Sequence, residues 1–207
     1  HGITVVHVVS NLKFALKAQD AGVDAVVAEG FEAGGHNGRE ETTTLVLIPM
    51  VARALNIPVI AAGGISTGRA MAAAFALGAE GAQIGSRFVA SIESSAHRAF
   101  KDIVVNSPEG ATQLTLKELA PVRLIKNKFF DDIQQAYQRG ATVEELKELL
   151  GRARAKRGMF EGDLEEGELE IGQVSGMIDR IDGAADIYGE IKEEFFATIA
   201  QLGKLQP

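Results

Sequence analysis

Through its first half the chain alternates unbroken apolar runs with helical periodicity, and this alternation predicts most of the architecture. Thr4-Val5-Val6-His7-Val8-Val9 is β-branched and continuous, which predicts a buried parallel strand with His7 as a hydrogen-bonded wall residue. A helix follows, with Asn11 at its N-cap, Leu12, Ala15 and Leu16 on one face, and Gly22 just past its end. Asp24 to Glu29 repeats the strand, its Ala25-Val26-Val27-Ala28 core suited to burial on both faces. A second helix runs to about Leu55, with Leu45, Ile48, Ala52 and Leu55 at helical spacing and Pro49 starting or kinking it. Pro58 to Ala62 is a third strand, left through the turn Gly63-Gly64-Ile65-Ser66. The helix from Arg69 to Leu77 ends at Gly78, and Ala82-Gln83-Ile84 is a fourth strand running into Gly85-Ser86-Arg87. Successive βα units imply a parallel sheet with right-handed crossovers, either an open doubly wound sheet or a barrel. The strands are expected to pair in sequence order, with an open edge at Thr4 to Val9.

After Ser94 the pattern changes. An amphipathic helix around Ala96 to Val105 precedes two β-branched stretches, Thr112 to Thr115 and Val122 to Ile125, which read as strands or extended loop. Thr142-Val143-Glu144-Glu145 is a capping box that opens a helix with Leu146, Leu149 and Leu150 inward. Arg152, Arg154, Lys156 and Arg157 crowd its far end, where cations favour a helix C-terminus. Phe160 to Glu170 is acidic and expected as a surface loop. The last helix carries Ile187, Ile191, Phe195, Ile199 and Leu202 on one stripe, as a helix closing against a barrel wall would. The expected organisation is therefore residues 1–106 as the main βα portion, 107–182 as a smaller inserted or lid region, and 183–207 as the closing helix.

Composition narrows the function. A net charge of -7 argues against nucleic-acid binding, which needs a basic surface, but leaves room for a small anionic ligand held by backbone N–H groups. The absence of cysteine excludes disulfides, thiolate metal sites and a cysteine nucleophile within these 207 residues, and fits a cytoplasmic setting. No apolar run approaches the roughly 18 residues of a membrane span, and the opening residues do not read as a signal peptide.

The chemistry concentrates where strands end. Glu29-Gly-Phe-Glu-Ala-Gly-Gly-His-Asn-Gly38 turns an apolar strand into a glycine-rich loop holding His36. Gly34-Gly35 allows close backbone approach to a planar group, with His36 presented over it; alternatively His36 decorates a mobile loop. Two further glycine turns, Gly63-Gly64 and Gly85-Ser86, lie one βα unit apart at strand ends, the way barrels hold a phosphate after their seventh and eighth strands. This favours the functional reading of His36. The units here would then be the second half of a TIM (β/α)8 barrel. Since such a barrel takes about 250 residues, about four more βα units are expected upstream of His1.

These segments also carry a resemblance. Glu29 to His36, Ala61-Ala-Gly-Gly-Ile65 and Gln83-Ile-Gly-Ser-Arg87 resemble the nitronate monooxygenase (2-nitropropane dioxygenase) superfamily of FMN-dependent barrels. Gly85 to Ser94, Glu161-Gly-Asp-Leu-Glu165 and Ile171-Gly-Gln-Val-Ser-Gly176 are most similar to its flavin-dependent enoyl-acyl-carrier-protein reductase II branch. The resemblance extends over nearly the whole chain. It implies His36 as the active-site histidine, the FMN phosphate on Gly63, Gly64, Gly85 and Ser86, and Gln83 and Gly35 close to the flavin. Ser86 stands where threonine is common and keeps the hydroxyl; Phe31 stands where a smaller residue is common.

Three functions follow as expectations. The first is reduction of a 2-enoyl thioester by NADH or NADPH through FMN, with acyl-carrier protein or a small molecule bringing the substrate, and a homodimer implied by the resemblance. A histidine that titrates near neutrality suits protonation of the enolate at Cα. The second keeps fold and flavin but oxidises alkyl nitronates. The third is a phosphate-binding barrel without redox chemistry.

Overall fold

The apolar runs that mark strands in the sequence do pair in parallel. The structure is a computed structural model that describes residues 1–205. In chain order its elements are β1 (Val6–Val9), α1 (Leu12–Asp20), β2 (Ala25–Glu29), β3 (Gly35–His36), α2 (Thr44–Ala52), β4 (Val59–Ala62), α3 (Gly68–Ala76), β5 (Gly81–Gln83), α4 (Ser86–Val89), α5 (Arg98–Val105), β6 (Thr112–Thr115), β7 (Val122–Ile125), α6 (Lys128–Gln138), α7 (Val143–Leu150), α8 (Arg154–Met159), a 3-10 turn (Gln173–Met177) and α9 (Ala184–Leu202). They fall into two units, one made of residues 1–32, 40–85 and 183–207, the other of residues 33–39 and 86–182.

The first unit is an α/β layer. Its sheet has the order β1-β2-β4-β5, all parallel, so the strands pair in sequence order and β1 is an edge. β2 is buried along Ala25 to Ala28, as its uniform apolar run predicted. β1 departs from expectation: Val6 and Val8 are about half exposed and His7 is exposed, so His7 is not a buried wall residue. An edge strand has a sheet neighbour on one side only, and among the described residues only Val9 of β1 reaches the core. Asn11 caps α1 by accepting from the Phe14 N–H at 2.8 Å. α2 buries Thr44, Leu47, Ile48 and Val51, while Leu45 lies 67% exposed, which corrects the expected face. The whole helix is apolar, so periodicity left its rotation open. Pro49 is accommodated inside α2 rather than at its start.

α9 packs on α3, with Phe195 edge-on to Phe75 at 5.2 Å between ring centroids. Ile187 and Ile191 are buried, but Ile199 and Leu202 remain exposed. The nineteen residues of α9 outrun the nine of α3, so only part of the stripe has a helix to meet. The crossing depends on Gly68, where a Cβ would overlap Phe195 N and Ile191 O. Gly68→Ala should therefore destabilise the fold by about 1–3 kcal/mol despite a gain in helix propensity, because rigid backbone rather than a side chain must give way. Urea midpoints of the two proteins check this; an unchanged midpoint would show that α9 shifts freely.

The second unit is built on an antiparallel sheet of order β3-β7-β6. The two stretches left open between strand and loop are thus both strands. α6 and α7 cover this sheet through Phe129, Phe130, Ile133 and Leu146. The capping box forms as read, Thr142 Oγ1 accepting from Glu145 N–H and the Glu145 carboxylate from Thr142 N–H. Of the basic residues after α7, Arg154 donates to the Leu149 and Leu150 carbonyls at the helix end and lies 4.3 Å from the Phe129 ring centroid. Lys156 and Arg157 pair with Glu161 and Asp163.

The acidic segment is not simply a surface loop. Leu169 is fully buried and Glu168 is 7% exposed. Asn127 Nδ2 donates to the carbonyls of Leu164 and Gly167, drawing the segment inward. Composition marked the segment polar, but its few apolar residues and this distant asparagine decide its course.

Candidate functional site

In the first unit the glycines gather at the carboxyl ends of β2 and β4. Gly30 N–H donates to Ala62 O at 2.9 Å, which joins the two strand ends. Gly63 and Gly64 both have positive φ, 86° and 70°. A Cβ on Gly63 would meet Gly30 O at 2.7 Å, so glycine is required there by backbone packing as well as by conformation. A Cβ on Gly64 would meet only the Glu32 side chain at 3.5 Å. With no side chain at either position, the backbone of this turn can approach an anion closely. Two residues on, Ser66 Oγ is buried without a partner among the described residues. Gly85, after β5, has nothing within 4 Å of where its Cβ would stand, and Gln83 at the end of β5 is exposed. An open approach at Gly85, a left-handed glycine pair and an orphaned hydroxyl fit a phosphate.

Neighbouring carboxylates serve the helices. Glu32 accepts from Thr44 N–H and Oγ1–H, and Thr44 Oγ1 lies 2.9 Å from Gly63 O. The Glu32 charge thus sits at the N-terminus of α2, where the helix dipole favours it. Glu194 likewise accepts from Gly68 N–H and Arg69 N–H at the start of α3. Neither cap is local in sequence, and neither was legible there.

In the second unit His36 belongs to a strand rather than a mobile loop. β3 pairs with β7 so that Gly35 faces Arg123 and His36 faces Val122. Asn37 N–H donates to Pro121 O, Asn37 Nδ2 to Ala33 O, and Arg39 to the carbonyls of Lys117 and Leu119. His36 is exposed on this fixed backbone. The room spared at Gly34 is taken by protein, since a Cβ there would overlap Ile171 C. Gly35, with φ 75°, faces the Glu170 carboxylate, which would lie 2.7 Å from an added Cβ. Ser86 Oγ accepts from Gly172 N–H at 3.0 Å, which leaves its own O–H able to donate.

Two carboxyls not singled out in the sequence lie in the segment that bridges to β7 at Glu170. Burial pushes the Glu168 carboxyl up to about 7, with the Glu170 charge adding to the rise and Arg154 opposing it. Burial also raises Glu170, and the His36 charge opposes that. Both lie in the run that composition marked as solvated. A carboxyl raised in the folded state is stabilising while protonated, so its contribution is full below the usual value of 4.5 and lost as pH rises through about 7. Fold stability should fall across that window, and Glu168→Gln should flatten the fall. Urea midpoints at about pH 5 and pH 8 check this; equal slopes in both proteins would remove Glu168 from the cause.

Comparison with known proteins bears on the whole chain. The family model described as nitronate monooxygenase matches residues 1–194. FabK from Thermotoga maritima is similar in structure, with a TM-score of 0.90 and 43% sequence identity, covering 97% of this chain and 63% of that one. The nitroalkane oxidase of Streptomyces ansochromogenes has a TM-score of 0.79 and 31% identity, covering 97% of this chain and 60% of that one. A protein of Staphylococcus saprophyticus named "Probable nitronate monooxygenase" is 31% identical over 92% of this chain and 56% of its own length. The chain thus spans less than two thirds of the length of these relatives. With a family match over most of its length, the chain belongs to the nitronate monooxygenase family, whose members are FMN-dependent oxidoreductases.

Proposed function

We propose that the protein reduces 2-enoyl-acyl-carrier-protein thioesters with NADH or NADPH as an FMN-dependent oxidoreductase. The observation that supports this over its alternative is the 43% identity to FabK across 97% of the chain, against 31% to the nitroalkane oxidase over the same share. On this reading the parallel sheet is part of a TIM barrel, of which this chain holds roughly the second half. Gly63, Gly64, Gly85 and Ser86 are assigned to the FMN phosphate, and Gln83 and Gly35 to the flavin ring. When bound, FMN supplies hydride chemistry that no side chain can.

His36 is assigned the proton. As hydride arrives at Cβ of the enoyl thioester, the π pair moves toward the thioester carbonyl, and His36 gives a proton to Cα. The neutral imidazole then recovers a proton from solvent, as a histidine can near physiological pH. Acyl-carrier protein or a small thioester is the proposed substrate carrier, a homodimer the proposed assembly and the cytoplasm the proposed location; among the described residues no helix is long and apolar enough to cross a membrane.

A second reading, oxidation of alkyl nitronates, is favoured by the name of the family model and of the staphylococcal relative. There His36 binds the anion or removes an acidic proton. Stopped-flow mixing of the reduced full-length protein with crotonyl thioester, beside air-saturated nitronate assays, separates the two. Slow flavin oxidation by the thioester with rapid turnover of nitronate would replace the first reading by the second.

A further inference from the structure

Two buried cations in the second unit take no part in the proposed reaction. Arg87 of α4 is 7% exposed and Lys101 of α5 is 6% exposed. Lys101 lies on the buried face of α5 with Phe100 and Val104, where periodicity calls for an apolar residue. Taking a charge out of water is costly unless its donors are used in good geometry, so two such residues on consecutive helices need a reason.

The reason lies in α4. With four residues it is too short to be held by its own helical hydrogen bonds, so its course is set by what grips it from outside. At its start Ser86 Oγ accepts from Gly172 N–H. Arg87, the next residue, donates to the Asp182 carboxylate and, through Nη1 at 3.3 Å, to Arg180 O. The Asp182 carbonyl accepts from Ile92 N–H at 2.8 Å, beyond the end of α4. Ser91 N–H donates to Phe88 O, which ties the following loop back to the helix. Lys101 takes up that loop: its Nζ donates to Ser91 O, Ile92 O and Ser94 O at 2.7, 3.2 and 2.7 Å. An ammonium has three donors, and all three serve carbonyls of an irregular segment.

We propose that Arg87 and Lys101 are positioning residues for Ser86: they fix α4 and the loop behind it, so that the Ser86 hydroxyl is preset to donate to the FMN phosphate. This rests on the assignment of Ser86 to that phosphate. A basic residue beside a phosphate-binding serine would ordinarily be read as a phosphate ligand itself. Arg87 is not placed for that role, because its buried guanidinium is turned to Asp182 and Arg180 O. Lys101 is not either, being closed in by its three carbonyls. Both cations therefore act through the backbone they hold. Ser86 Oγ is fixed from one side by Gly172 N–H, which leaves its own proton for a ligand. A hydroxyl held in place before the ligand arrives loses little freedom on binding, and that preorganisation is what the two buried charges maintain.

Affinities for FMN and for riboflavin, which has the same ring and ribityl chain but no phosphate, test this in the full-length protein. Lys101→Met removes the ammonium and keeps much of the side chain's length. It should weaken FMN binding about tenfold, the lower end of what a hydrogen bond to a charged group contributes, and leave riboflavin binding unchanged. Asp182→Asn loosens the hold on Arg87 at a partly exposed side chain and should lower the same preference for FMN in part, even if Lys101→Met fails to fold. In a Ser86→Ala background Lys101→Met should have no further effect on the preference, since both changes act on one hydrogen bond. Urea midpoints read the structural cost of each variant separately. Equal weakening of FMN and riboflavin in folded Lys101→Met, or additive losses in the double variant, would overturn the proposal and leave the cations as supports of the fold alone. An unchanged preference in Asp182→Asn would remove Arg87 from it. If Ser86→Ala itself keeps the preference for FMN, the assignment of Ser86 to the phosphate fails and the proposal with it; a Ser86→Ala effect with none from either other variant overturns only the positioning roles.

Discussion

In the full-length protein His36→Ala is expected to slow reoxidation of the reduced flavin by an enoyl thioester by about 10²- to 10⁴-fold, the usual contribution of a general acid. That corresponds to about 3–5 kcal/mol of transition-state stabilisation, more than an exposed residue that only occupies space contributes. Flavin content should be retained, because the phosphate is assigned to glycine turns after other strands. Reduction of the flavin by NADH should also change little, since that half-reaction needs no proton at Cα. The backbone should survive as well: β3 is held by pairing with β7 and by Asn37, none of which uses the imidazole. Single-turnover traces of the two half-reactions decide the matter. Equal loss in both would make the effect one of binding or folding, and no loss would place the acid elsewhere.

Gly64→Asp should cost the protein its FMN while leaving it folded. At φ 70° any side chain is strained, by about 1–2 kcal/mol, which a protein of this size tolerates. Space is not the obstacle, for the new Cβ would lie 3.5 Å from Glu32, an ordinary contact. Charge is the obstacle. An aspartate at this position sets a second carboxylate beside Glu32 and close to the assigned phosphate, and like charges in contact cost several kcal/mol. A loss of about 3 kcal/mol lowers FMN affinity roughly 100-fold. Gly64→Ala carries the strain without the charge and should keep most of its flavin. Fluorescence titration with FMN reads both variants, and stoichiometric FMN in Gly64→Asp would move the phosphate away from this turn.

Several features of the site were readable one residue at a time. Asn11 and Thr142 cap as their local patterns said, because a cap is made within three residues of itself. Gly63 and Gly64 turn out left-handed, as a paired glycine after a buried strand suggests. Where the signal was symmetric, the sequence could not choose. α2 is apolar on every side, so the buried face was decided by what packs on it, and Leu45 came out exposed. The exposure of β1 followed from its place at the edge of the sheet, which no property of its own residues encodes. Gly34 and Gly35 invited a ligand reading, yet the backbone of Ile171 and the carboxylate of Glu170 occupy the room they spare.

The sequence by itself determined the α/β class, the parallel pairing of its apolar strands, the family, and the positions of glycine turns and histidine, because each depends on periodicities and motifs a few residues long. Only the tertiary structure decided which carboxylates matter. Glu32, Glu194, Glu168 and Glu170 look alike in an acidic chain, but two of them reach distant helix N-termini, one is buried to 7% exposure, and one is brought to the edge that holds His36. The physical reason is that the free energy of an ionisable group is set by its surroundings: water, dipoles and other charges brought close by chain segments up to 126 residues apart.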